Sequence, residues 1–323
     1  MHETSLITVL MPVRNASQYI VAAVESIRRQ TEHRFRLFVI DDGSTDDGLQ
    51  KVASMNDPRI SIFPDRRELG IAHRLNWGID NSDSAFIARM DADDIAEPNR
   101  LARQLAFMRE HPDVAISGTW YRVFDDRTLS EPIGLPSEHE AIGALTLFAS
   151  PFAHPTVMFN RTLINRDNLR YSTDFSHAED YELWERAAGL VRLGNLPEAL
   201  LRYRVHPLQV SSRHRSVQRE MSDAIRRRAL QRLRIAVSEE ELELHCAYAS
   251  RPFDGDGERM MAAKRWLREL AARVGNRHPA IVDECVRREA QLDRLISSQS
   301  RQKIWWRRLL RRRSRPTAWR RTS

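Results

Sequence analysis

Phe35-Arg36-Leu37-Phe38-Val39-Ile40-Asp41-Asp42-Gly43-Ser44-Thr45-Asp46 is a run of mostly apolar, β-forming residues that ends abruptly in acids, a glycine and hydroxyls. The apolar part reads as a short buried strand, and the sudden polarity marks where it meets solvent. The same pattern recurs on either side. Upstream, Leu6 to Met11 is stopped by Pro12, and Ala16 to Arg29 follows with Ile20, Ala23, Val24 and Ile27 at helical spacing. Downstream, Ile60 to Phe63 precedes a helix from Gly70 to Ile79, and Ala85 to Met90 is stopped by Asp91-Ala92-Asp93-Asp94. Strands alternating with helices at this pitch predict βαβ units and a mostly parallel α/β sheet. Ligands of such sheets sit beyond the strand C-termini, where these acidic segments fall.

Farther along, Pro98 suits the first turn of a helix carrying Leu101, Leu105 and Met108, and Val114 to Val123 is another apolar segment. Between Asp125 and Arg170 irregular loops surround one expected strand, Thr156 to Phe159. An amphipathic helix is expected from near Ala178 to about Gly189, and after Arg213 the chain reads as helical to about residue 310. The domains expected are an α/β domain over 1–213, with halves 1–100 and 101–213, then a helical region over 214–300 and a basic tail over 301–323. A length of 323 residues fits two units at about 150 residues each.

The hydrophobic share of 41% is enough for a core and excludes a disordered polymer. Cys246 and Cys285 stand in no CxxC or Cys/His cluster, so neither a disulfide framework nor a zinc site is expected, and a reducing compartment is. No secretion signal precedes Val13 and no run approaches 18 apolar residues. The net charge of +7 is unevenly spread. Residues 301–323 hold ten Lys/Arg and no acid, which leaves 41 basic against 44 acidic side chains in the other 300 residues. The basic character therefore belongs to the tail and to what the tail touches.

Three acidic segments are candidates for chemistry. Asp41 to Asp46 suits a hydrogen-bond acceptor facing a nucleobase or ribose, and a tight turn with Ser44 or Asp46 capping the next helix is the alternative. Asp91 and Asp93, at i and i+2 in extended backbone, would point to one side and share a divalent cation, or divide between cation and ribose hydroxyls. The alternative there has Asp94 and Glu97 capping the helix at Pro98. Ser176 and Glu179 have capping-box spacing, which accounts for Glu179 better than for Asp180. Asp180, beside the aromatic face of Tyr181 and Trp184, is a candidate general base. His206 and His154 are either loop histidines with backbone partners or imidazoles facing a cation or leaving group.

In order, Pro12-Val13-Arg14-Asn15, Asp41 to Asp46, Asp91-Ala92-Asp93-Asp94 and Glu179-Asp180-Tyr181-Glu182-Leu183-Trp184 resemble family 2 glycosyltransferases of the GT-A fold, over about residues 5–213. Tyr203-Arg204-Val205-His206 also looks like bacterial members that build cell-surface polysaccharide. The resemblance implies that Pro12, Val13 and Asp42 hold the base, normally uracil, with Arg74 directed at the nucleotide. It implies that Asp91 and Ala92 meet the ribose or sugar, that Asp93 holds Mg2+ or Mn2+ with help from His206, and that Asp180 is the base of an inverting transfer. The Gln-x-x-Arg-Trp motif of processive synthases is not evident, so transfer of a single sugar is expected, from a nucleotide-sugar to a glycan or lipid-linked acceptor.

In the tail, Trp305, Trp306, Leu309 and Leu310 lie three and four residues apart among arginines. This suits an interfacial helix on an anionic membrane and a cytoplasmic enzyme held at the inner face. Nucleic acid is not an expected partner. A non-catalytic nucleotide-sugar or nucleic-acid binding protein on the same fold is the competing reading, and neither a sugar-nucleotide pyrophosphorylase nor a receiver domain accounts for the motifs.

Overall fold

A computed structural model of the chain describes residues 5–125, 127–206, 214–249 and 257–313, with side chains through residue 297. It divides into two compact units, Met1–Arg234 and Ile235–Ser323.

The first unit is a sheet between two layers of helices. Its opening half alternates as expected: β1 Ile7–Val13, α1 Ile20–Arg28, β2 Phe35–Asp41, α2 Gly48–Ala53, β3 Ile60–Phe63, α3 Ile71–Asp80 and β4 Phe86–Arg89. A short β5 (Ile95–Ala96) and α4 (Arg100–Glu110) lead to β6 (Val114–Phe124), α5 (His139–Leu145), β7 (Met158–Asn160), α6 (Arg161–Arg166), α7 (Glu179–Ala187), β8 (Arg192–Arg204) and α8 (Arg215–Arg232). Strand periodicity sorts the core. Ile7, Val9, Met11 and Val13 of β1, with Phe35, Leu37 and Val39 of β2, face α1 and α4 through Ile20, Val24, Ile27, Leu101, Leu105 and Met108. The intervening Leu10, Phe38 and Ile40 face α3 and α7 through Leu75, Ile79, Leu183 and Trp184.

The sheet order is β3-β2-β1-β4-β7-β6-β8-β5. It is parallel from β3 to β4 and between β6 and β8, and antiparallel where β7 meets β4 and β6 and where β5 meets β8. The C-terminal ends of β1, β2 and β4 therefore open on one edge.

Strand β8 was not expected from the sequence. Its register on β6 runs from Thr119↔Leu196 to Trp120↔Ala199, so Pro197 and Glu198 bulge out of the ladder. A proline, which has no N–H to donate, is accommodated at such a bulge, and it hides the strand from a reading by periodicity. The 125–170 region proves to hold α5, β7 and α6.

The second unit is helical, with α9 Glu239–Ala249, α10 Gly257–Val274 and α11 Pro279–Arg313. Trp266, Leu267 and Leu270 form its core with Leu242, Ile281 and Leu292, and Lys264 and Arg268 of α10 pair with Asp293 and Glu289 of α11. Both cysteines are buried. Among the described residues no helix is long and apolar enough to cross a membrane.

Candidate active site

At the end of β2 the chain reverses through Gly43, whose φ of +80° an L side chain rarely adopts, and where a Cβ would lie 3.3 Å from the Arg67 backbone. Asp41 turns inward and accepts from the Ser44 N–H at 3.0 Å. Asp42 is 7% exposed and anchors the entry to α3, accepting from Leu69 N at 2.8 Å, Gly70 N at 3.1 Å and Arg74 Nε at 2.8 Å. Arg74 also reaches Asp65 at 2.9 Å and the Arg67 carbonyl at 2.6 Å, which fixes Asp42 among positive groups. Val13 accepts from Asp42 N at 2.8 Å, and Asn15 and Ser17 bond to Ser44, Thr45 and Asp46, so the β1 and β2 loops are laced together. Pro12 is half-buried at the end of β1.

The second group lies at the end of β4, two strands from β2 and so about 10 Å across the sheet. Residues Ala92 and Asp93 form a turn, where an extended segment was expected, and Ala92 packs into the core. The carboxylates nonetheless converge: one oxygen each from Asp91, Asp93 and Asp94 lie within 4.8 Å of one another. Arg89 holds Asp91 through both oxygens, at 2.7 and 2.5 Å. Asp93 is 3.0 Å from His206 Nε2, and the His206 ring lies 4.9 Å from that of Tyr19. Asp94, which the capping alternative assigned to the next helix, is 1% exposed. Its Oδ1 accepts from Arg204 N at 2.8 Å and its Oδ2 has no partner among the described residues. The N-cap of α4 is Asn99, which makes no side-chain cap, and Glu97 pairs with Arg202.

Burial, followed by the charges of Asp91 and Asp93, holds the Asp94 carboxyl well above the usual carboxylate range. Asp91 is raised by burial and by Asp93 in spite of Arg89. Concentrating three acids with one oxygen unpaired is costly, and a divalent cation would relieve both the repulsion and the orphaned acceptor. Hard oxygen donors suit Mg2+ or Mn2+, so the residues fit such an ion.

Helix α7 brings the third group. It begins at Glu179, its N-cap Ala178 makes no side-chain bond, and His177 takes a φ of +63°. The capping box expected of Ser176 and Glu179 is therefore not the N-cap of this helix. Trp184, fully buried, is ringed by Phe152, His154, Phe159 and Tyr171, while Glu182 and Glu185 are paired to Arg186 and to Arg228 and Arg232 of α8. With the far side of α7 clamped in this way, its first turn is held in place. Burial raises the Asp180 carboxyl, and the Asp180 charge adds, after burial and Asp93, to the raising of Asp91. Glu179 is pushed up to about 7 by burial and by Asp180. His154 Nε2 lies 2.9 Å from the Tyr171 hydroxyl, and burial and the Arg89 charge keep that imidazole neutral.

The family model for glycosyl transferase family 2 matches residues 8–170. The chain belongs to this family. An uncharacterized glycosyltransferase of Haemophilus influenzae is 30% identical over 239 residues, covering 70% of this chain and 74% of that protein. The O-antigen biosynthesis glycosyltransferase WbnJ of Escherichia coli is 32% identical over 209 residues, covering 62% of this chain and 80% of its own. Among solved structures, S. aureus TarS 1–349 in complex with UDP-GlcNAc superposes with a TM-score of 0.60 at 18% identity, covering 92% of each chain. The fold is thus the GT-A fold, and the protein is an enzyme of a family with relatives in polysaccharide biosynthesis.

In this glycosyltransferase the matched segment carries Pro12, Val13, Asp42, Arg74, Asp91, Ala92 and Asp93, whereas Asp180 and His206 lie beyond it. Sequence reading missed Asp94, Arg89 and Arg204. Arg204 donates to the Asp93 carbonyl at 2.7 Å, and its guanidinium lies 4.6 Å from the Tyr19 ring centroid and 4.3 Å from that of Phe124. Asp94 and Arg204 stood inside quoted motifs without this role, and Arg89 showed only as a charge inside an otherwise apolar strand.

Proposed function

We propose that the enzyme transfers one sugar, with inversion, from a UDP-sugar to a hydroxyl of a glycan or lipid-linked acceptor in cell-surface polysaccharide synthesis. The observation that carries the reading is the convergence of Asp91, Asp93 and Asp94 at the end of a parallel strand, with the Asp180 charge felt at Asp91. The relatives add to it: WbnJ is named for O-antigen biosynthesis and TarS holds UDP-GlcNAc.

In this reading the donor occupies the 1–100 half. Pro12, Val13 and Asp42 border the base, and Arg74, expected to be directed at the nucleotide, instead engages Asp42, Asp65 and the Arg67 carbonyl with its three guanidinium nitrogens and acts by holding Asp42 in place. Asp91 and Ala92 meet the ribose or sugar, and Asp93 with His206 would hold Mg2+ or Mn2+. When bound, the cation offsets the negative charge that develops on the departing diphosphate, a Lewis-acid contribution of several kcal/mol. The acceptor enters from the 101–213 half. Its hydroxyl oxygen forms a bond to the anomeric carbon as the bond from that carbon to the diphosphate oxygen breaks. The bonding pair leaves with the diphosphate, and Asp180 takes the hydroxyl proton. Attack opposite the leaving group inverts the anomeric centre.

A panel of nucleotide-sugars tested by thermal unfolding with Mn2+ checks this directly. A UDP-sugar at one hundred times its Kd should add about 2.7 kcal/mol to stability, an effect removed by chelating the metal. No stabilisation by any nucleotide-sugar would overturn the reading.

We also place the enzyme on the inner face of the cell membrane through residues 301–323. Helix α11 continues to Arg313, so Trp305 and Leu309, and Trp306 and Leu310, are one helical turn apart. Residues 314–323 lie outside the described residues, as do the side chains of 301–313. Basic residues near anionic lipid contribute about 1 kcal/mol each. The full chain should sediment with anionic vesicles and the chain truncated after residue 300 should not. Equal sedimentation would remove the membrane from the proposal.

A further inference from the structure

We infer that Arg89 is a positioning residue for donor binding, a buried guanidinium that grips both oxygens of Asp91 and thereby aims that carboxylate at the nucleotide. The inference rests on the reading that Asp91 meets the donor.

Arg89 is the last residue of β4, between Ala88 and Met90, both of which are fully buried, and its own side chain is 2% exposed. A charge in such a place is costly unless it is paired. The pairing is bidentate: Nη1 lies 2.7 Å from Asp91 Oδ2 and Nη2 lies 2.5 Å from Oδ1, the fork geometry that fixes both direction and rotation of a carboxylate.

The Arg89 backbone, from which the guanidinium springs, is anchored on both sides. The Arg89 backbone N–H donates to the Val157 carbonyl at 2.9 Å, and its carbonyl accepts from Arg100 Nη2 at 2.7 Å. Arg100, itself fully buried, donates through Nε to Gln104 Oε1 at 3.0 Å, and Gln104 Nε2 donates to the Thr156 carbonyl at 2.9 Å. A line of buried polar groups therefore runs from α4 through β4 to Asp91.

One further feature favours orientation over stability as the role of this fork. Arg89 Nε is buried without a partner among the described residues, and apolar side chains of similar volume often match or exceed a buried ion pair in stability. At 2% exposure Arg89 reaches a ligand only through Asp91.

The test is a double-mutant cycle read by calorimetry, with UDP as the probe in the presence of Mn2+. Arg89→Lys keeps the charge and loses the fork. It should weaken UDP binding at least about ten-fold, the usual scale for a group that orients a ligating residue. In an Asp91→Asn background the same change should cost less than about two-fold, because the group it acts through is already altered. Arg89→Gln runs through the same cycle if the lysine variant does not fold. Equal losses in both backgrounds, or wild-type affinity in Arg89→Lys, would overturn the inference and leave the donor reading standing. A wild-type protein that binds no UDP with Mn2+ would refute the donor reading and this inference with it.

Discussion

Asp180→Asn is expected to lower turnover at least about a hundred-fold while the protein folds and binds its donor. The amide keeps the shape of the carboxylate and cannot accept the acceptor's proton. The fold should tolerate the change because α7 is fixed elsewhere, through Trp184 in its aromatic surround and through Glu182 and Glu185 on the arginines of α8. Burial already raises the Asp180 carboxyl, which moves it toward the range in which a base works near neutrality. Steady-state kinetics with a saturating nucleotide-sugar would show the loss in kcat and little change in donor KM. A near-normal kcat would remove Asp180 from the role of base.

Glu179→Gln should make the cation-free protein more stable above neutral pH, by on the order of 3 kcal/mol. Glu179 is pushed from 4.5 to about 7 by burial and by Asp180. Between those values the folded protein keeps a proton that the unfolded chain has released, so stability falls as pH rises through that window. Glutamine mimics the protonated form and carries no such penalty. His154, held below its usual range, acts in the opposite sense: its contribution is lost as pH falls through the ordinary histidine value of 6.5. Wild type must therefore be compared with the variant at each pH. In chelator, the difference in unfolding free energy should be full near pH 8 and vanish below the ordinary carboxyl value of 4.5, and equal stabilities at pH 8 would show that Glu179 ionises freely.

The half of the fold that carries the donor motifs was legible because its strands are short apolar runs cut off by polar residues. β1, β2, β3 and β4 all lie within a residue or two of where periodicity puts them. β8 escaped because a bulge at Pro197 and Glu198 breaks its alternation, and the region around α5 and α6 because its elements are three to seven residues long. At the site, the spacing of Asp91 and Asp93 pointed to a cation even though the local backbone turns. Asp94 read as a helix cap, since only contact with Arg204, 110 residues away, shows it buried with the other acids. The same limit hid the clamp between Arg228 and Glu182 and Glu185, which joins α8 to α7 by side chains more than forty residues apart. Pairings at that separation have no local signature, whereas caps and strand ends do.

Asp93 and its neighbours as the seat of a cation-bridged diphosphate is the claim on which the rest depends. Anomalous diffraction at the manganese edge, on crystals grown with Mn2+ and UDP, tests it most directly. The expected result is a peak about 2.1 Å from an Asp93 oxygen, with the diphosphate on its open side, and no such peak in Asp93→Ala. UDP bound without manganese, or manganese bound away from Asp91, Asp93 and Asp94, would contradict it.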